Sequence, residues 1–367
     1  MIIPIRLAVF SILLNFALLL PGQFIGSSLA ATIAISIPLS GDFAQLGRNF
    51  RTGAKLAMEQ IENNHELFIA DDGCDADLSK LAAEEIDASS PSVVIGFLCN
   101  DSAKTVAGKV ASKGIPVLVA GARSVRLIKD REREAWNLWR LSPGDDYPIN
   151  IAAQEIEQRW RDRPYAIVDD GTIYGRTFTD GLRLRMQEAG FEPQFSDSFR
   201  AAQSSQVGLL RRLKRSGVTA AFVAAATVED LLTIARNMRD FDIELELMTT
   251  EALQALPFLE DGGTAAEGVQ IILSAQPFDM ELDALLRDRS IAPSRQLYDG
   301  YAAIQIALEA LRETSEKTTQ SLANSTFETV LGAIGFKPDG SADYNPYEWR
   351  IWNGENLISS DQAAETQ

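Results

Sequence analysis

From Thr32 onward the chain alternates short β-branched apolar runs with longer stretches whose apolar positions recur every three or four residues. Thr32–Pro38 (TIAISIP) reads as a strand and Leu39–Gly47 as a loop. Phe50, Ala54, Ala57, Met58 and Ile61 then mark one face of a helix. Leu67–Ala70 returns as a strand ending at Asp71-Asp72-Gly73-Cys74, and a helix over Leu78–Ala88 carries Leu78, Leu81, Ala82 and Ile86 inward. A strand at Val93–Gly96, a helix over Ser102–Lys113 and a strand at Pro116–Ala120 complete the first series. Repeated β-α units predict an α/β fold whose parallel sheet is covered by helices on both faces.

A second series starts after the Pro and Gly of Leu141-Ser142-Pro143-Gly144 break the pattern. It runs through a helix over Tyr147–Arg161, a strand at Tyr165–Val168, and a helix carrying Phe178, Leu182, Met186 and Ala189. Then come a helix over Gln206–Ser216, a strand at Ala220–Ala224, a helix over Val228–Arg239 and a strand at Leu245–Thr249. A long helix is expected over Ser294–Thr314. Glu348–Trp352 alternates like an antiparallel strand that turns at Asn353-Gly354. Trp136, Trp139 and Trp160 fall at apolar-periodic positions and read as core. The chain therefore holds two β-α sandwiches in tandem.

Composition narrows the function. The 367 residues carry 34 Lys+Arg against 51 Asp+Glu, a net charge of −17, which argues against nucleic acid as a partner. His65 is the one histidine, set in the polar Asn63-Asn64-His65-Glu66 turn and read as solvated. A Ser-His-Asp triad would have to use it, and zinc sites built on several histidines are excluded. Neither phosphate-cradling glycine loop occurs, nor a GxSxG elbow. No cofactor is implied, and the chain is not written like an enzyme.

The first thirty residues read as an address. Arg6 precedes the apolar stretch Leu7–Leu20, and small residues end at Ser28-Leu29-Ala30, the pattern of a secretory signal cleaved near Ala30. The apolar stretch is shorter than the roughly 20 residues a membrane span needs. In an oxidising compartment the two cysteines, Cys74 and Cys99, are expected to pair, the alternative being two buried thiols.

Polar residues gather where strands end: Ser40-Gly41-Asp42, Cys99–Ser102, Gly121–Ser124, Asp169–Tyr174 and Thr249–Glu251. Open parallel sheets place ligands at such ends, so five loops in two series predict a ligand held between facing crevices. The start of the Ser102 helix would offer free backbone donors to a carboxylate, with Asn100 and Asp101 beside it. Capping is the competing role of Asp101, and likewise of Asp170. Arg123 would grip a carboxylate bidentately, or else be a surface arginine paired with neighbours such as Asp130. Glu251 would hold an ammonium or guanidinium, or lie solvated in a turn. Tyr174 would cover an apolar group, or pack in the core.

Three stretches, IAISIPLSGDFAQLGRNFRTGAKLAMEQI, the DDGCDAD…VVIGFLCND pair and VDDGTIYGRTFTDGLRLRMQEAG, resemble the type I periplasmic solute-binding proteins of the leucine/isoleucine/valine-binding branch. So does the closing FKPDGSADYNPYEWRIWNGENL. The resemblance implies two Rossmann-like lobes with parallel sheets joined by a three-strand hinge. One lobe is expected over 31–142 and 277–336, the other over 143–276 and 337–367, after a signal at 1–30. It further implies a Cys74–Cys99 bridge, a periplasmic location, and a ligand delivered to an inner-membrane ABC permease and ATPase complex. Tyr174 matches a ligand-covering tyrosine and Glu251 an ammonium-binding acid, whereas Arg123 stands where a threonine often holds the amino-acid backbone, and Leu46 replaces an aromatic before Gly47. The ligand-binding set expected is thus Ser40, Asn100, Asp101, Ser102, Gly121, Arg123, Tyr174 and Glu251. An amino acid of branched-chain type, or a related small carboxylate, is the expected ligand. The alternative is a sensing receptor of the same fold for an amide, urea or aromatic acid.

Overall fold

The computed structural model describes residues 30–250, 263–312, 315–359 and 362. The expected signal segment and Glu251 lie outside the described residues.

In the first lobe β1 (Thr32–Ile37), α1 (Ala44–Gln60), β2 (Glu66–Asp71), α2 (Ala76–Ala88), β3 (Val93–Gly96), α3 (Asn100–Val110), β4 (Val117–Val119), α4 (Val125–Arg133) and β5 (Leu138–Arg140) follow one another. The five strands form a parallel sheet in the order β2-β1-β3-β4-β5. Strand alternation sends Ile33, Ile35 and Ile37 into one core cluster and Ala34 into another on the opposite face, so β1 is covered on both sides.

The second lobe continues with α5 (Tyr147–Trp160), β6 (Tyr165–Asp169), α6 (Ile173–Glu188), β7 (Phe195–Ser198), α7 (Val207–Ser216), β8 (Ala220–Ala224), α8 (Val228–Asp240), β9 (Glu246–Thr249) and β10 (Gln270–Ser274). The chain then returns to the first lobe. There α9 (Met280–Asp288), α10 (Arg295–Ala310), α11 (Ser315–Asn324) and the hairpin β11 (Phe327–Thr329)–β12 (Gly332–Ile334) supply Leu286, Tyr298, Ile304, Leu322 and Phe327 to the cluster beneath β1. It crosses a last time to β13 (Tyr347–Trp352) and β14 (Leu357–Ser359), which close the second sheet as β14-β13-β10-β9-β8-β6-β7. In that sheet β13 pairs antiparallel with both β10 and β14, and the other pairs are parallel. Residues 337–342 hydrogen-bond to β5, through Arg140 N–H to Gly340 O and Ala342 N–H to Arg140 O, so the third passage leaves the first lobe after Ala342.

Two devices hold the first lobe. α1 and α10 cross backbone to backbone: a Cβ on Gly53 would overlap the Leu297 carbonyl, and one on Gly300 the Phe50 carbonyl. Cys74 and Cys99 form a disulfide with Cα atoms 5.5 Å apart, joining the loops that follow β2 and β3 on either side of β1. Beneath it, buried Asp72 accepts from Ser36 Oγ at 2.8 Å and from the Cys74 N–H at 3.0 Å. Burial pushes the Asp72 carboxyl above its ordinary value despite these bonds.

Some expectations need correction. Leu81 is 55% exposed; Ser79, Ala82, Ala83 and Ile86 form the inner face of α2. The long helix ends at Ala310 rather than Thr314. α4, β5 and β7 were not expected: α4 is charge-rich, β7 (FSDS) has a single apolar residue and β5 is three residues long, so their apolar periods are weak. His65 is half-buried and accepts the Ala31 N–H at Nδ1, 3.1 Å away, where the expectation was a solvated side chain. Trp139 and Trp160 are core, and Trp136 packs at its margin.

Closing a 25-residue span contributes about 3.5 kcal/mol in the loop-entropy picture. Cys74→Ala/Cys99→Ala should lower Tm by about 5 °C in calorimetry. Gly53→Ala should cost about 2 kcal/mol or more in denaturant unfolding, because it forces two backbones apart. Gly108→Ala in α3 should be neutral or stabilising, since its Cβ would meet only Trp136, at 3.9 Å.

Candidate functional site

All five parallel strands of the first sheet end at one edge, and the loops they release carry most of the expected site residues. The structure separates those residues into three groups. Gly121 and Arg123, in the loop after β4, line a cavity of about 360 Å³ between the lobes. Ser40, on the loop after β1, and Asn100 and Asp101, in the first turn of α3, stand exposed outside its wall. Asn100 Oδ1 accepts the Ser124 N–H at 3.1 Å, and the Ser40 N–H donates to Asp71 Oδ1 at 3.3 Å. Ser102 turns inward: it is buried and bonds Ser79 Oγ at 2.9 Å, beside the Asp72 network.

Tyr174, on the second lobe at the start of α6, is 42% exposed with its ring against Phe178, and does not line the cavity. The capping alternative for Asp101 does not occur: the N-cap of α3 is Cys99, which makes no side-chain bond to the first turn. Asp170 makes the turn before α6 rather than its cap, accepting from Thr172 N–H at 3.0 Å and Ala226 N–H at 2.6 Å, while Thr172 is the N-cap. Asp130 is satisfied by Lys104 at 3.1 Å and Arg133 at 2.8 Å, so it is not the partner of Arg123.

Arg123 instead reaches across to the second lobe. It donates to the Tyr347 hydroxyl and its guanidinium carbon lies 5.7 Å from that ring's centroid. Its Nε is buried without a partner. The loop that carries it is held from behind by Arg140 Nη1, which donates to the carbonyls of Arg123 at 3.2 Å and Ser124 at 3.0 Å.

The rest of the cavity was not anticipated. Arg295 and Asp299, one turn apart on α10, form a 2.8 Å ion pair on its wall, and Arg295 also reaches Ser274 Oγ at 3.4 Å. Burial pushes the Asp299 carboxyl up, against the pull of Arg295 and Arg123. Burial pulls the Arg295 guanidinium down, but Asp299 outweighs it and leaves the arginine raised. An Arg and an Asp at i, i+4 are legible in the sequence as a helix pair; what was missing was the knowledge that this turn of the helix faces the cavity. Leu46, Leu98, Pro143 and Pro346 supply apolar wall, and Gln276 and Gln296 neutral hydrogen-bonding groups.

Among the described lining residues the charged groups are two guanidiniums and one carboxylate. A chain with net charge −17 thus surrounds a cavity with a local positive surplus. The arrangement suits a small anion lying against an apolar wall. Among the described residues no cluster of His, Cys, Asp and Glu could hold a metal. No helix there is long and apolar enough to cross a membrane.

The fold is one that known proteins share. Residues 30–348 match the family model described as periplasmic binding protein. A Leu/Ile/Val-binding protein homolog 1 of Brucella abortus is 25% identical over 358 residues, covering 89% of this chain and 95% of the relative. A branched-chain amino acid transporter substrate-binding protein of Streptococcus pneumoniae, solved with isoleucine, superposes with a TM-score of 0.61 at 16% identity, covering 90% of this chain and 98% of that one. A solute-binding protein of an ABC transporter from Rhodopseudomonas palustris, solved with p-hydroxybenzoic acid, gives 0.63 at 17%, covering 90% and 95%. The chain belongs to the periplasmic binding protein family, in its type I leucine/isoleucine/valine-binding branch, a family of extracytoplasmic solute-binding transport components and not of enzymes.

Proposed function

We propose that this protein captures a small carboxylate, an amino acid of branched-chain type or a related acid, between its lobes and delivers it to an inner-membrane ABC permease and ATPase complex from the periplasm, after cleavage of its signal near Ala30. The observation that carries the reading is the guanidinium surplus of the cavity, with Arg123 offering Nε toward an unmet partner. A carboxylate entering there would leave water, and a charge-assisted pair with Arg123 offsets that loss. Glu251 and Tyr174 would complete the grip from the second lobe, and Asn100 and Asp101 would meet the ligand as the crevice narrows.

Closure follows from bridging. A ligand touching both lobes binds the narrowed form better and draws the population toward it. The lobes in this reading are 31–142 with 277–336, and 143–276 with 337–367, the last passage bonding to β5 as far as Ala342 on its way to the second sheet. The brief connections after β5, β10 and Ala342 serve as the hinge.

A second reading, an aromatic carboxylate, is favoured by the lining itself. Leu46, Leu98, Pro143 and Pro346 offer flat apolar surface, and Arg123 stands where the family often has a threonine for the amino-acid backbone. The R. palustris protein with p-hydroxybenzoic acid sets a precedent of the same fold.

A thermal-shift screen of the twenty amino acids alongside benzoate-type acids separates the readings. Stabilisation by leucine, isoleucine or valine supports the first, stabilisation by aromatic acids alone the second, and silence from every carboxylate discards both. With the best ligand in hand, Arg123→Ala should weaken binding at least tenfold by calorimetric titration, a loss of about 1.4 kcal/mol. Unchanged affinity would remove Arg123 from the site.

A further inference from the structure

Behind the hinge lies a second cavity, of about 710 Å³, separated from the first by the Ser142-Pro143 segment, which lines both. We propose that this rear cavity is a binding site for a small oxyanion. Its walls come from α4 and the end of β5 in the first lobe, from the start of α5 in the second, and from the third passage around residues 337–342. An occupant would therefore touch both lobes and two of the three connections between them.

The case rests on Arg140. It is 5% exposed, lines the cavity, and makes its side-chain bonds to two neutral carbonyl oxygens, those of Arg123 and Ser124. Its Nε is buried with no partner. A desolvated guanidinium held only by neutral acceptors lacks the counter-charge that makes burial tolerable. Burial pulls Arg140 below its ordinary value, against the attraction of Asp146, Asp145 and Asp339.

Lys129, Arg131 and Lys337 bring three further cations to the same walls. Two acids on the same walls have other contacts, Asp339 accepting from Ser341 Oγ at 2.6 Å and from its N–H at 2.8 Å and Asp146 facing Arg185 at 3.8 Å. Asp339 is also drawn by Lys337 and Arg140, and Lys337 lies 3.8 Å from Asp343. Glu132 stands exposed on α4. Three further cations beside a buried guanidinium whose bonds go to neutral carbonyls suit a compact, multiply hydrogen-bonding anion rather than an apolar guest. The site is distinct from the carboxylate cavity, since Arg123 lies on the other side of the shared wall.

Inorganic phosphate is the probe, titrated into the full mature chain at constant ionic strength with chloride as the balancing ion. Saturable binding by calorimetry is expected, weakened at least tenfold in Lys129→Ala/Lys337→Ala, abolished in Arg140→Gln and retained in Arg123→Ala. The double variant changes exposed side chains, so it decides the matter even if Arg140→Gln fails to fold. No saturable binding by the parent, binding equal to the parent's in the double variant, or binding lost in Arg123→Ala would each overturn the proposal. Carboxylate binding is read in separate titrations without phosphate, so either assignment can fail while the other stands.

Discussion

The interior between the lobes is governed by what a charge loses when it leaves water. Arg295 and Asp299 meet at 2.8 Å with the carboxylate almost wholly buried, and Arg123 adds a second guanidinium without a second carboxylate among the described lining residues. In a low-dielectric crevice such an imbalance is a strong preference for an anion. The apolar groups around it, Leu46, Leu98 and the two prolines, sharpen that preference by displacing the water that would otherwise screen it. The proposed grip on a small acid would rest on that surplus of guanidinium over carboxylate.

That design needs a rigid frame. Parallel strands deliver their loops to one edge, and the Cys74–Cys99 bridge fixes the loops on either side of β1. The glycine-mediated crossing of α1 and α10 sets the depth at which Arg295 and Asp299 stand, because α10 is pressed against α1 by backbone contact rather than by adjustable side chains. Arg140 ties the Arg123 loop to the last residue of β5, the point where the chain leaves the first lobe. If the lobes close about this point, as proposed, the movement would be felt at the Arg123 loop.

Much of the frame was legible from the order of residues. Val93–Gly96 and Ala220–Ala224 were bounded correctly by their β-branched and small apolar runs, and the antiparallel character of the segment ending at Trp352 followed from its alternation and the Asn353-Gly354 turn. Ser102 shows where such reading stops. Its place beside the second cysteine is readable, but its burial against Ser79 and next to Asp72 depends on how α2 and α3 pack. Leu81 shows the same limit, since a helix with apolar residues on two flanks does not reveal which flank the sheet covers.

The sequence by itself determined the α/β architecture and the crowding of polar loops at strand ends, because period, composition and turn residues act over a few neighbours. The expected cysteine pair was met where the sheet order brings the ends of β2 and β3 together. Only the tertiary structure decided the cavity. Arg123 and Tyr347 are 224 positions apart, and Arg295 comes from a helix that re-enters the first lobe after β6–β10 of the second sheet and before β13 and β14 complete it. No local pattern encodes which turn of that helix faces the crevice; that depends on two glycines allowing two backbones to touch.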